Sequence, residues 1–424
     1  MTSFWKIAAP VTCVAVIGGA ELWPIYKQKA IERKLAEAAR VCRVRAGQGD
    51  AKAQDSLGNM YRKGQGVPRD YAEAVRWFRQ AAAQGYALAE SDLGVMYRSG
   101  QGVPRDPAEA VRWFRQAAAQ GDAQGQYCLG LSYAKGQGVP QDYAEAVRWY
   151  RQAAGQGDAR AQYGLGYMFD EGKGVPREHA EAVRWFRQAA EQGDARAQAY
   201  LGFCYFHGQG VPRDYAEAAR WCRKAAEQGD ANAQYGLGLM YRNGQGVSQD
   251  DAQAFHWYRL AADQGYASAQ YGLGYMYRRG EGVARNYDKA AGWYRKAAEH
   301  GDAHAQHGLG SMYFEGEGVP QSYAEAVRWY RQAAEQGEAF AQCDLGFMYY
   351  YGQSVPRDYV QAHVWMSLAA AFRISADRDH NWVKGLDLVT GKMTAEQIAE
   401  ARRLAREWKP REQAAAPSES GSKP

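Results

Sequence analysis

Nine tryptophans stand in one register: Trp77, Trp113, Trp149, Trp185, Trp221, Trp257, Trp293, Trp329 and Trp365, each 36 residues after the last. A Gly-x-Gly-Val phrase keeps the same step from Gly64-Gln65-Gly66-Val67 to Gly316-Glu317-Gly318-Val319, and its ninth copy, Gly352-Gln353-Ser354-Val355, is imperfect. A fixed period of about 20 to 50 residues is the signature of a stacked-repeat architecture. A chain of 424 residues would otherwise divide into about two or three globular domains. Here the period runs from Gly49 to Phe372, so a solenoid in which each unit contacts its neighbours takes their place.

One repeat, 49–84, shows what the unit is. Asp50 is placed to cap a helix from Ala51 to Lys63, and Gly64 supplies the left-handed residue that ends it. A loop comes next, with Val67 held extended by Pro68. Asp70 caps a second helix, and Glu73 three residues on has the spacing of a capping box. That helix carries Trp77, Ala81 and Ala82 and stops at Gly85; in the next copy Pro107 follows cap Asp106, at the first helical position where proline is tolerated. The chain is therefore expected to be all-α, nine 36-residue helix-turn-helix repeats. Leu57 and Gly58 recur in all nine copies and the Ala81-Ala82 pair persists to Ala369-Ala370. Small residues on facing helices allow close approach, with Trp77 expected to fill the gap beside them.

Charge excludes one class of partner. Lys and Arg number 52 against 47 Asp and Glu, and most recur inside the repeats, so no patch of one sign points to nucleic acid. The six cysteines keep no spacing of their own; Cys204 stands where other copies have Met and Cys222 where they have Phe or Tyr. They read as small core residues rather than a disulfide framework.

The ends differ in kind. Ile7 to Ala20 is a 14-residue apolar run, broken only by Pro10, Thr12 and Gly18-Gly19. Residues 1–26 read as a signal peptide or a membrane anchor, with Trp5, Trp23 and Tyr26 as interfacial aromatics and the uncleaved anchor favoured. The cations after the run, Lys27 to Arg40, would hold their own segment in the cytoplasm; the side stays open, between a membrane-associated and an envelope location. Residues 27–48 form a helical stalk or cap, with Ile31, Leu35, Ala38, Ala39 and Cys42 on one side. The repeats take 49–372, and capping helices 373–409, including one around Trp382, Leu386 and Val389 and a closing helix opened by Thr394 and Gln397. Residues 410–424, rich in Ser, Pro, Gly and Lys, are expected to be disordered.

The motif Ala-x-Ala-Gln-x-x-Leu-Gly-x-Met-Tyr-x-x-Gly-x-Gly-Val-x-x-Asp, followed by Ala-x-x-Trp-Tyr/Phe-x-x-Ala-Ala, resembles the Sel-one-like repeat (SLR) family, relatives of the tetratricopeptide repeats. The resemblance implies a right-handed α/α superhelical solenoid that works as an adaptor or scaffold, in bacteria often tied to the cell envelope. It implies no reaction and no cofactor.

Architectural positions repeat, and recognition positions should not. In the first helix three columns vary at i, i+4 and i+7, on one face. The first holds Asp55, Tyr163, Tyr235 and Tyr271; the second Tyr167, Phe203 and Tyr275; the third Arg62, Arg98, Phe206, Arg242 and Arg278. In the related solenoids the first helix lines the concave side, so Tyr163, Tyr167, Phe203, Phe206, Tyr235, Arg242, Tyr271, Tyr275 and Arg278 are the candidates for contact with a protein or peptide partner. The alternative is that these aromatics pack between adjacent repeats. No Ser-His-Asp or Cys-His arrangement is placed by any motif, and His300, His304 and His307 lack the further ligands a metal needs. The reading is a non-catalytic, membrane- or envelope-linked scaffold; an envelope enzyme or carbohydrate-binding accessory protein is the alternative.

Overall fold

A computed structural model describes residues 31–371 and 381–411. The described residues are helical, with no strand among them. The first unit, ending at Asp194, holds a helix through 31–47 (α1), then α2 (Ala51–Lys63), α3 (Tyr71–Ala82), α4 (Ala87–Ser99), α5 (Pro107–Ala119), α6 (Ala123–Lys135), α7 (Tyr143–Gly155), α8 (Ala159–Glu171) and α9 (His179–Glu191). The second, starting at Ala195, holds α10 (Ala195–His207), α11 (Tyr215–Glu227), α12 (Ala231–Asn243), α13 (Asp251–Asp263), α14 (Ala267–Arg279), α15 (Tyr287–Glu299), α16 (Ala303–Glu315), α17 (Tyr323–Glu335), α18 (Ala339–Tyr351), α19 (Tyr359–Ala371), α20 (Asn381–Thr390) and α21 (Ala395–Glu407). Each unit is a stack of helix pairs, and the architecture is the all-α solenoid that the period demands.

Local chemistry sets the boundaries. Asp50 accepts from the Ala53 N–H, and Gly64 closes α2 with φ 69°. Asp70 accepts from the N–H groups of Ala72 and Glu73 to open α3. The expected capping box does not form there: the Asp70 N–H donates to the Tyr61 carbonyl, closing the loop, and Glu73 turns to Arg76 at 3.2 Å. With the cap's own N–H satisfied, the glutamate has nothing to receive. At α21 the box is complete, formed by Thr394 and Gln397.

The close approach within each repeat rests on the glycine, but the ring against it is not the tryptophan. A Cβ on Gly58 would meet the Phe78 ring at 2.6 Å; on Gly94, Phe114 at 2.5 Å; on Gly274, Tyr294 at 2.5 Å. Trp77 packs instead with Leu57 and Ala53 of its own first helix and Ala46 of the helix before. The residue after the tryptophan is thus the one that the glycine admits, and the tryptophan seals the edge between neighbouring repeats.

A buried glutamine line joins the repeats. Gln234 donates from Nε2 to the Ala226 carbonyl at the end of α11, and its Oε1 accepts from Gln264. The same pair recurs as Gln156 to Gln126 and Gln336 to Gln306. Carbonyls left over at a helix C-terminus are satisfied this way without water.

At the ends, α21 packs Ala401, Leu404, Ala405 and Trp408 on Val364 and Leu368 of α19. In α1, Ala39 and Ala46 are buried and Leu35 and Cys42 half-buried, whereas Ile31 and Ala38, expected on the packed side, are exposed. Among the described residues α1 lies against the first repeat alone. No helix among the described residues is long and apolar enough to cross a membrane. The expected anchor at 1–26 and the tail from 412 lie outside the described residues, and so does the side chain of Trp382, expected to pack.

Candidate functional site

Within each unit the first helices of successive repeats approach one another, α4 to α6 in the first and α10 to α12 and α14 to α16 in the second. The three variable columns lie on these helices.

The first column is engaged in packing. Tyr163 sits 5.9 Å from the Phe186 ring. Tyr235 lies 5.6 Å from Tyr258 and 5.2 Å from Tyr266, the N-cap of the next first helix; Tyr271 lies 5.7 Å from both Tyr294 and His304. Burial pushes the Tyr235 and Tyr271 hydroxyls above the ordinary tyrosine value, and Tyr258 and Tyr294 further still. Each of the three tyrosines rests on the second-helix ring 23 positions later, so these tyrosines fill the seam between repeats.

The third column is held by charge. Arg242 lies 4.4 Å over the Tyr275 ring and 3.6 Å from Glu281. Arg278 meets Glu317 at 2.7 Å and Glu315 at 2.6 Å. Both carboxylate sets come from the following repeat. A sequence signal existed for them: Glu281 and Glu317 replace the loop glutamine of Gln65 and Gln245, each 39 residues after an arginine. Arg62 and Arg98 are half-buried as well; Arg62 is 3.9 Å from Asp92, and Arg98 covers Phe114 at 5.4 Å. Phe206 is half-buried against Tyr215 at 5.2 Å.

The second column is the most available. Phe203 is 48 % exposed, with His207 at 4.2 Å along the same helix. Tyr167 is half-buried and receives a hydrogen bond from Lys173 at 3.1 Å, and Tyr275 presents its ring between Arg242 and Arg279. Sequence reasoning passed over Phe340 and Tyr351, which are also exposed on α18; neither belongs to the aromatic runs of the first two columns, and no spacing marks them.

The histidines part company. His300 takes the place of the ladder glutamine, 3.2 Å from Gln270; His304 faces buried Glu338 at 3.7 Å; His307 contacts Asp344 at 2.9 Å. Glu338 holds the His304 imidazole above its ordinary pKa. No three His, Cys, Asp or Glu side chains converge as a metal site among the described residues. Cys204 is buried in the core, and Cys222 takes the place of the ring on Gly202. Asp55 is the one acid in the first column: it has an oxygen without a hydrogen-bond partner, and burial next to Asp92 raises its pKa to about 7.

No curated protein matches the chain. Among solved structures it is similar to a protective antigen of uropathogenic Escherichia coli that displays an SLR fold, with 37 % identity over 88 % of this chain and 87 % of that one and a TM-score of 0.58. It is also similar to a Sel1 repeat protein from Oxalobacter formigenes, with 38 % identity over 74 % of this chain and 90 % of that one and a TM-score of 0.53. Nine consecutive Sel1 repeats match, at 51–86, 87–122, 123–158, 159–194, 195–230, 231–266, 267–302, 303–338 and 339–371, the same helix pairs that the tryptophan register marks. The chain belongs to the Sel1 repeat family.

Proposed function

We propose that this protein is a non-catalytic scaffold that holds a protein or peptide partner against the face of its first helices, tied to a membrane or the cell envelope through residues 1–26. Repeats of this kind generally serve as protein-interaction modules. The observation that carries the reading is Phe203, an aromatic left about half exposed on α10, together with the half-buried Arg242–Tyr275 pair on the first helices that follow. Large rings and arginines are the residues that dominate binding energy at interfaces. No observation favours nucleic acid: on the first-helix face Arg242 and Arg278 are paired with Glu281, Glu315 and Glu317 of the following repeats.

The test is capture of partners by the full-length protein, cross-linked in cells, against Phe203→Ala and Tyr275→Ala. Loss of the captured partner with helicity and melting unchanged supports the reading. Unchanged capture with both variants overturns the assignment of this face.

A further inference from the structure

The repeat register extends one helix upstream of the nine copies. Arg43 donates to the Tyr61 hydroxyl at 3.0 Å, as Arg79 does to Tyr97 and Arg115 to Tyr133. Gln54 donates to the Ala46 carbonyl as Gln234 does to Ala226. Gly66 abuts the Leu35 carbonyl as Gly102 abuts that of Tyr71. By all three contacts α1 stands where the second helix of a preceding repeat would stand.

Its first helix is missing from the sequence. Residues 15–27, one period before α2, carry Glu21 and Leu22 where the repeats have their leucine and glycine, and Pro24 in place of methionine. A proline in place of the methionine and a carboxylate in place of the core leucine break the repeat motif in that stretch of sequence. The face of α1 that such a helix would cover is exposed. Ala74, Trp77 and Ala81 of α3 are buried, whereas their counterparts one period back, Ala38, Val41 and Arg45, are exposed. Val41 is 56 % exposed and Val44, on the next stripe, 62 %.

The substitutions are not those of an interface with another repeat helix. Val41 replaces the tryptophan, Arg45 an alanine and Lys34 the capping aspartate. The helix carries Arg33, Lys34, Arg40, Arg43 and Arg45 against Glu32 and Glu37, and the apolar run 7–20 lies shortly upstream. Exposed aliphatic residues flanked by cations are the composition of a helix lying in a membrane interface, drawn there by anionic headgroups. We propose that the open face of α1, which carries Val41 and Val44 with Glu37 on the same stripe and is flanked by Lys34 and the Asp50-paired Arg45 on one side and Arg33 and Arg40 on the other, binds the surface of an anionic bilayer through its excess of cations. The inference extends the membrane link proposed above, and charge complementarity selects lipid over a second copy of the chain: α1 carries five cations against two carboxylates, so two copies would set net-positive surfaces against each other.

The experiment uses full-length protein carrying Cys13→Ser, Cys42→Ala and Val44→Cys, with an environment-sensitive fluorophore on the new thiol. It is mixed with vesicles of phosphatidylcholine alone or with phosphatidylglycerol, and vesicle flotation is measured in parallel. The expected result is a blue shift of the label with phosphatidylglycerol only, abolished by Arg33→Glu with Lys34→Glu and Arg40→Glu. Flotation without a shift means that residues 1–26 act alone and overturns the proposal. A shift of equal size on both vesicles overturns the anionic preference. A concentration-dependent shift without vesicles assigns the face to a second copy instead. Absence of both flotation and shift removes this proposal and the membrane link together.

Discussion

Gln264 donates from its side-chain amide to the Oε1 of Gln234, 2.8 Å away and one repeat back, while Gln234 spends its own amide on the Ala226 carbonyl at 3.1 Å. The two side chains tie the end of one second helix, the core of a first helix and the end of the next second helix into one line. Gln234 is buried and Gln264 exposed, so the two ends of the bond differ in consequence.

Gln234→Leu should therefore cost about 1–2 kcal/mol, the desolvation of groups left without their partner. Gln264→Ala should cost less, under about 1 kcal/mol, because removing an exposed side chain opens the way for water to reach the Gln234 oxygen. Amide hydrogen exchange in α12 reads the difference locally; equal losses in both variants would mean that the ladder is not a source of stability.

Two glycines on the same helix should respond with opposite sign. A Cβ on Gly238 would meet the Tyr258 ring at 2.6 Å, whereas nothing lies within 4 Å of one on Gly236. Gly238→Ala should destabilise by about 1–3 kcal/mol through overpacking. Gly236→Ala should stabilise by up to about 1 kcal/mol through helix propensity. Urea denaturation of the paired variants checks both signs.

Asp55 should make the first unit sensitive to pH. Its folded pKa of about 7 lies above the ordinary 3.8, because burial and the Asp92 charge disfavour the carboxylate. The folded state then holds a proton that the unfolded state releases, so stability falls as pH rises between those values and is level above them. Asp55→Asn should flatten that slope and melt higher than the parent at pH 8. Thermal melts at pH 5 and pH 8 compare the two; a parent whose melting does not fall over this interval would refute the shifted aspartate.

Ser354 is the only non-glycine with positive φ among the described residues, at 56°, in the imperfect ninth copy of the loop phrase. Ser354→Gly should remove the left-handed strain and raise stability by about 1 kcal/mol, less the entropy glycine adds to the unfolded chain. Protection of the α18–α19 loop against proteolysis is the readout, and a variant cut faster than the parent would show that the serine makes a compensating contact.

The sequence by itself determined where helices begin and end. Asp50, Gly64, Asp70 and Thr394 act through bonds to residues within four positions, and such bonds need nothing from the rest of the chain. It determined the family as well, because a stack of identical units must repeat its packing residues at the period of the unit. What only the tertiary structure decided is which groups meet between elements. Phe78 rather than Trp77 covers Gly58, the Asp70 N–H goes to Tyr61 rather than Glu73, and Arg278 finds Glu317 in the following repeat. The columns read as a recognition ladder proved to be of three kinds, because Tyr235 and Tyr271 had second-helix rings within reach and Phe203 was left largely in solvent. Spacing along a helix places a side chain on a face. The neighbouring helix determines whether that face is buried, and for α1 the sequence one period upstream does not continue the repeat motif.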